Sequence, residues 1–240
     1  MTLKLGIPSK GRLMADTFDW FAARGVTITR TGTDREYAGR VDGVDGVELV
    51  LLAAGEIPRE LASGRIHLGV TGSDVVQEKI ARWDSKIVPL AKLGFGHARL
   101  IIAVPKTWTD VRDLNDLDAA ADAFRRTHGF RLRIATKYHR LVRAHLKAAG
   151  VASYQLVDSQ GATEGTVVNL TAEAIADITS TGATLDANHL KEIGDVIHVS
   201  QATLFRSLTA ELSSDDEASL SDLRAKIGIL STGTPKVTKT

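Results

Sequence analysis

Asp177 stands five residues before Gly182, and between and beyond them lie Thr179, Ser180, Thr181, Ala183, Thr184 and Leu185. Ala174 to Ile178 reads as an apolar strand, after which hydroxyl side chains flank one glycine. A glycine lets backbone approach an anion closely, and hydroxyls around it add donors. N–H groups at the start of a following helix add more, with the helix dipole behind them. Hydrogen bonds to a charged phosphate contribute about 1.5–3 kcal/mol each, so a handful make an effective clamp. At the strand end, the Asp177 carboxylate is suited to accept from vicinal ribose hydroxyls. An acid followed by a hydroxyl-glycine-hydroxyl cradle is what a ribose 5-phosphate ligand needs. The same run also describes a Thr/Ser-rich turn capping a helix, or a phosphate loop for another ligand.

Further candidates sit at other strand-to-helix turns. Lys10 and Arg12 follow the first apolar strand at a helix start, where two cations would neutralise a pyrophosphate or triphosphate or simply be solvated surface charges. Gly72 opens another such turn and would let a ligand come close, while the neighbouring Asp74 is read as structural, an N-cap. Arg99 opens a strand, where an ion-pair role is the plain alternative. Thr136, Lys137 and Tyr138 end a strand, with Lys137 able to bind phosphate and Tyr138 able to pack on a base or ribose. Arg140, Arg143 and Lys147 form a stripe on the next helix that reads as a solvated face, its first two residues starting close to a cleft. The seven histidines show no metal-ligand spacing.

These turns need elements to hold them. Leu3 to Pro8, Val47 to Ala53, His67 to Thr71, Arg99 to Val104, Leu132 to Thr136, Tyr154 to Asp158 and Ala174 to Ile178 read as buried strands. Val196 to Leu204 reads as one longer, partly exposed strand. Met14 to Ala22, Ile57 to Ala62, Asp74 to Ala81 and His139 to Ala149 read as helices. Strands alternating with helices predict an α/β fold with mostly parallel sheets. Gly94 and Gly96 around Phe95 are a hinge candidate, and a second crossing is expected near Ser180 to Asn188. That gives two lobes with a cleft between them: residues 1–92 plus 186–210, and 93–185. Residues 211–240 would supply a C-terminal helix, starting at the Ser-Ser-Asp-Asp-Glu run and buried through Leu220, Leu223 and Ile227, followed by a flexible tail.

Composition sets the outer bounds. The 240 residues are 43% hydrophobic and 25% charged, with a formal net charge of +1, which gives no reason to expect nucleic acid or a membrane surface as a partner. The absence of cysteine excludes disulfides and thiolate chemistry. No signal-peptide pattern or membrane-length apolar run is evident, so a cytoplasmic location is expected.

Asp177-Ile178-Thr179-Ser180-Thr181-Gly182-Ala183-Thr184-Leu185-Asp186-Ala187-Asn188 resembles the loop of the ATP phosphoribosyltransferase family. Common type I phosphoribosyltransferases carry two adjacent acids, and Ala176 takes the place of the first. Four other segments are similar to that family in the same order: Ile7 to Leu13, His67 to Asp74, Leu93 to Leu100 and Arg133 to Tyr138. The resemblance implies transfer of a phosphoribosyl group from phosphoribosyl pyrophosphate to N1 of ATP, the first step of histidine biosynthesis. It implies Mg2+ held through the pyrophosphate without a protein ligand set, with Asp177, Lys10, Arg12 and Glu164 as catalytic residues. It places Arg99 near the nucleotide and Glu164 near the ribose and metal. It further implies a two-lobed architecture like that of periplasmic binding proteins and a homo-oligomer, a dimer. From the chain length it implies the short form, working with a regulatory subunit resembling histidyl-tRNA synthetase. Two departures stand out. His139 replaces a common proline, and alanines at 53 and 54 replace a phosphate-binding arginine, leaving Arg59 or Arg65 as substitutes. The rival readings are a type I phosphoribosyltransferase for a purine or pyrimidine and a non-enzymatic solute-binding protein.

Overall fold

In β1 (Leu3–Pro8), Leu3, Leu5 and Ile7 are fully buried, and of the residues between them Gly6 is buried too. A strand covered on both faces belongs at the centre of an α/β layer. The structure, a computed structural model, describes residues 2–31, 38–159 and 162–229. After β1 come α1 (Arg12–Ala22), β2 (Thr27–Thr31), β3 (Ala38–Asp42), β4 (Val47–Leu52), α2 (Ile57–Ala62), β5 (Leu68–Gly72), α3 (Ser73–Lys79) and β6 (Ile87–Lys92). Then follow β7 (Ala98–Pro105), α4 (Leu114–His128), β8 (Leu132–Thr136), α5 (His139–Ala148), β9 (Tyr154–Asp158), α6 (Gly165–Val168), β10 (Ala174–Thr179), α7 (Ala183–Ala187) and β11 (Leu190–Ser200). β12 (Ala202–Ser207) and α8 (Ser214–Lys226) close the described chain.

The chain divides into two compact units, residues 1–96 with 202–240, and residues 97–201. The first holds a sheet in the order β4-β1-β5-β12-β6 and a β2-β3 hairpin; the second holds a sheet in the order β11-β7-β10-β8-β9. The α/β class holds, and each sheet is mixed. β1 pairs in parallel with β4 and β5, and β8 with β9 and β10. β12 runs antiparallel to β5 and β6, and β7 antiparallel to β10 and β11. Helical crossovers make the parallel pairs, whereas strands entering from the other unit need no crossover and arrive antiparallel.

This pairing moves the expected boundaries. The return crossing falls at Gln201 rather than near Ser180 to Asn188, because β11 is bonded along β7 and stays in the second unit. The single strand expected over Val196 to Leu204 is therefore two strands in different sheets. The forward crossing follows Gly96, and both glycines of the hinge candidate have positive φ, 81° at Gly94 and 63° at Gly96, a conformation that glycine adopts without strain. The core of each unit lies on both sheet faces. In the second unit Leu100, Ile102 and Val104 pack into one cluster, while Ile101 and Ala103 pack into the other. α8 starts where expected: Ser213 and Asp216 form a reciprocal capping box, and Leu220, Leu223 and Ile227 are buried against β1 and its neighbours. The tail expected after it lies outside the described residues.

Candidate functional site

Every turn singled out in the sequence leaves the C-terminal end of a strand. In open α/β sheets this edge is where ligands bind, because helix N-termini and backbone N–H groups collect there.

In the second unit, β8, β9 and β10 end at Thr136, Asp158 and Thr179. β10 outruns its parallel neighbour: its last pairing with β8 is Ala176 with Thr136, while Asp177 to Thr179 pair only with β7. Asp177 thus lies just past the paired core and is half-buried. Its Oδ1 accepts from the Ile178 N–H at 2.8 Å, which sets the carboxylate against the strand end. Ala176, one step back, is fully buried in an apolar cluster with Leu100 and Ile134. A second acid there would be a charge buried without a partner, which accounts for the single acid.

The cradle follows directly. Thr179 Oγ1 accepts from the Gly182 N–H at 3.0 Å, and Thr181 Oγ1 from the Ala183 N–H at 3.4 Å, so these two hydroxyls shape the loop. Gly182 has φ 79° and ends the loop at the start of α7. Asp186 is the first residue to bond back, to the Gly182 carbonyl at 3.0 Å. The N–H groups of Thr184 and Leu185 therefore precede the helical ladder, in the place where an anion is held. Ser180, Thr181 and Thr184 are exposed, and Leu185 contributes only backbone because its side chain is buried in the core. Glu164 is the N-cap of α6, half-buried and without a side-chain capping bond. The buried Ser159 hydroxyl donates to the buried Thr163 Oγ1 at 2.8 Å.

Three second-unit candidates differ from expectation. Thr136 is fully buried, and its Oγ1 accepts from the Tyr138 N–H at 2.9 Å, so it shapes the turn after β8 rather than facing a ligand. Tyr138 packs with Val142 and Leu146 in the core, and its ring is not presented to a base; the helix it introduces draws it inward. Arg99 donates both guanidinium arms to Glu192, at 3.0 and 2.8 Å, so the ion-pair alternative is the one observed. Lys137 alone of this group is exposed. Sequence spacing missed His139 Nε2 with Asp158 Oδ1, 2.6 Å apart, because only the β8-β9 pairing brings positions 19 apart together at the sheet edge.

In the first unit, β1 and β4 end side by side, Pro8 opposite Leu52, and the Ser9 N–H continues the pairing to the Leu52 carbonyl at 2.7 Å. Lys10, Gly11 and Arg12 then turn into α1. Gly11 is the N-cap with φ 77° and ψ −174°, supplies no side-chain cap, and is followed by no acid in the first turn. Helix N-termini favour negative charge, yet this sequence places two cations there. Met14 and Ala15 are the first to bond back to the Gly11 carbonyl, which leaves the Arg12 and Leu13 N–H groups ahead of the ladder. Arg12 is exposed, with only a 3.6 Å approach to Asp16. Such a terminus is open to an external anion. Lys10 also lines a groove of about 400 Å3 with Ser9, Ala53 and Glu56, and Glu56 there accepts from the Ala53 N–H at 3.0 Å. Of the two substitute arginines, Arg65 is bound to Glu60 through two 2.6 Å bonds. Arg59 is exposed, without an ion pair among the described residues. Gly72 has extended backbone, φ −70° and ψ 142°, that any residue adopts, and Asp74 behind it is buried in the first turn of α3. An anion at that helix start would meet a resident carboxylate, which weakens Gly72 as a contact point; Asp74 is not the expected N-cap, since Gly72 holds that position and Asp74 is the second residue of α3.

Comparison with known proteins bears on this arrangement. The family model for HisG, ATP phosphoribosyltransferase, matches residues 53–227. The ATP phosphoribosyltransferase of Cereibacter sphaeroides is 68% identical over 230 residues, covering 95% of this chain and 97% of that protein. That of Mesorhizobium japonicum is 46% identical over 227 residues, 94% and 97% of the two chains. Among solved structures, a chain of the ATP phosphoribosyl transferase (HisG:HisZ) complex from Thermotoga maritima superposes with a TM-score of 0.70 at 21% identity, covering 95% of this chain and 99% of that one. A histidine kinase sensor domain with similarity to periplasmic binding proteins superposes with a TM-score of 0.52 at 13% identity, covering 95% and 89%; these last two likenesses concern the fold alone. With a family model spanning most of its length and relatives matched almost end to end, the chain belongs to the ATP phosphoribosyltransferase family.

Proposed function

We propose that this protein transfers the phosphoribosyl group of phosphoribosyl pyrophosphate to N1 of ATP and releases pyrophosphate, the entry step of histidine biosynthesis. The observation that carries the residue-level reading is the loop from Asp177 to Leu185, which offers one carboxylate and a cradle of hydroxyls and helix-start N–H groups from a single strand end. Asp177 holds the ribose hydroxyls, assisted by Glu164. Thr181, Gly182, Ala183, Thr184 and the Leu185 N–H hold the 5-phosphate, with Thr179 and Thr181 also shaping the loop and Ser180 at its mouth. Lys10 and Arg12, at the uncapped start of α1, bind the departing pyrophosphate. Arg59 takes the ATP-phosphate role of the absent arginine, and Lys137 supplies a further cation.

N1 of the adenine attacks C1 of the ribose as the bond to pyrophosphate breaks. Positive charge develops on the ring and negative charge on the leaving group, so positioning and electrostatic stabilisation are the protein's main contributions. No covalent nucleophile is required. Mg2+ bound through the pyrophosphate oxygens would offset leaving-group charge. Among the described residues no three His, Asp or Glu side chains converge, and the carboxylates suited to assist such an ion are Asp177 and Glu164. No helix among the described residues is long and apolar enough to cross a membrane, and a cytoplasmic setting is part of the proposal. So are a homodimer and a regulatory partner resembling histidyl-tRNA synthetase; the Thermotoga maritima neighbour is a chain of a HisG:HisZ complex.

The test is pyrophosphate release from phosphoribosyl pyrophosphate with ATP, and with free purines or pyrimidines, each with and without the partner subunit. Release dependent on ATP supports the assignment; release with free bases alone would replace it by a type I phosphoribosyltransferase. Lys10→Gln with Arg12→Gln is expected to weaken pyrophosphate binding at least tenfold, the equivalent of about 1.4 kcal/mol.

A further inference from the structure

At the opposite ends of β8 and β9 from the turns above, a groove of about 620 Å3 opens between the start of both strands and the second half of α5. Its rim carries Arg131, just before β8, and Arg143 and Lys147 from α5. Arg143 was expected near a cleft; here it faces this groove instead. Its floor is Val151, Tyr154 and Leu156, of which Val151 is buried and the other two half-buried.

Three features set this groove apart from an ordinary solvated face. First, the cations come from separate segments and converge, with Arg143 and Lys147 one helical turn apart. Second, no carboxylate lines it. The carboxylates joined to the adjoining segment are committed: Asp118 Oδ1 accepts from the Ala152 N–H at 2.9 Å and Asp122 Oδ1 from the Ser153 hydroxyl at 2.5 Å. Third, none of the three cations has an ion pair among the described residues. Several other cations of this unit are matched, as in Arg99 with Glu192, Arg133 with Glu173 and Lys106 with Asp186. In a chain of net charge +1, three uncompensated charges around one concavity are a local excess. The volume is that of a small-molecule site, the guanidinium groups suit phosphate oxygens, and Tyr154 offers an aromatic edge to an attached ring.

We propose that this groove is a second, non-catalytic binding site for a small phosphorylated ligand with two or more adjacent phosphates. Arg131, Arg143 and Lys147 bind the phosphates, and Tyr154 with Leu156 supports the organic part. The site stands apart from the catalytic assignment, since it shares no residue with the Asp177 loop or the Lys10 turn.

Inorganic triphosphate is the probe, followed through backbone amide shifts of the full chain by NMR. The expected result is saturable shifts at Gly150, Val151 and Gln155. These persist in Thr184→Val, which weakens the catalytic loop, and move to at least about hundredfold higher triphosphate in Arg131→Gln/Arg143→Gln/Lys147→Gln. Turnover of the triple variant in the absence of added triphosphate is expected to match the parent, which also establishes that it folds. Shifts confined to residues 179–185 and 10–13, or shifts at 150–155 that the triple variant leaves unchanged, would overturn the proposal.

Discussion

Asp177 and Thr184 occupy the same loop but are assigned different atoms of one substrate, and substitutions can separate them. Asp177→Asn keeps the size and removes the charge that holds the ribose hydroxyls. It is expected to raise the donor KM at least tenfold while ATP binding, measured by equilibrium titration, stays within twofold; equal loss of both would remove the ribose assignment. Thr184→Val deletes one phosphate donor, and the expected loss of donor affinity is about 1.5–3 kcal/mol, with no effect excluding the cradle. Much of this loop was legible in the sequence, because an acid, hydroxyls and a glycine on one strand-to-helix turn depend only on local spacing. What spacing does not carry is who else competes for a side chain. Arg99 meets Glu192 from a position 93 residues away, and Thr136 is taken by the Tyr138 N–H. Both looked available in the sequence because their partners are set by strand pairing and by the direction in which α5 leaves β8.

At the scale of elements, the continuously apolar strands were legible because burial on both faces leaves little room for polar residues, as in Leu100 to Val104. β2 and β3 were not, since Thr27 to Thr31 alternates Thr with Ile and Arg and lacks that signature. Nor was the break at Gln201, where the apolar pattern runs on while the strand changes sheets. The start of α8 was legible from its capping residues, and it yields two expectations. Ser213→Ala removes the cap and is expected to cost about 0.5–2 kcal/mol in denaturant unfolding. Asp216 accepts from the Ser213 hydroxyl at 2.6 Å and from the Ser213 N–H at 3.0 Å, and these bonds, the hydroxyl first, hold its pKa below the ordinary 3.8. A depressed carboxylate pKa contributes stability that is present above the unfolded value and lost as pH falls through the folded one. Docking of α8 is therefore expected to weaken only below about pH 3.8, and hydrogen exchange of the α8 amides at pH 3 and pH 6 checks it. Equal protection at both would contradict it.

At the scale of the whole molecule, stability in mild acid is expected to depend on His145. Its Nε2 is buried without a hydrogen-bond partner among the described residues. Desolvation pushes its pKa below the ordinary 6.5, against a smaller opposing pull from Asp195. Well above pH 6.5 the ring is neutral folded and unfolded, so there is no effect. As pH falls through 6.5 the unfolded chain takes up the proton while the folded chain resists, and stability declines. Unfolding midpoints of the parent and of His145→Gln between pH 5 and 8 are expected to diverge on the acid side, with the variant less sensitive; parallel curves would contradict this. Family membership, the two α/β units and the turns at their strand ends agree on one activity. Its most direct test is to identify the bond that forms. The protein, with and without the proposed regulatory partner, is incubated with ATP, phosphoribosyl pyrophosphate and Mg2+, and the product is examined by ultraviolet absorbance and NMR. An adduct joining ribose C1 to adenine N1, formed in step with pyrophosphate, is expected. Pyrophosphate release without that adduct, or an adduct on a free base but not on ATP, would contradict it.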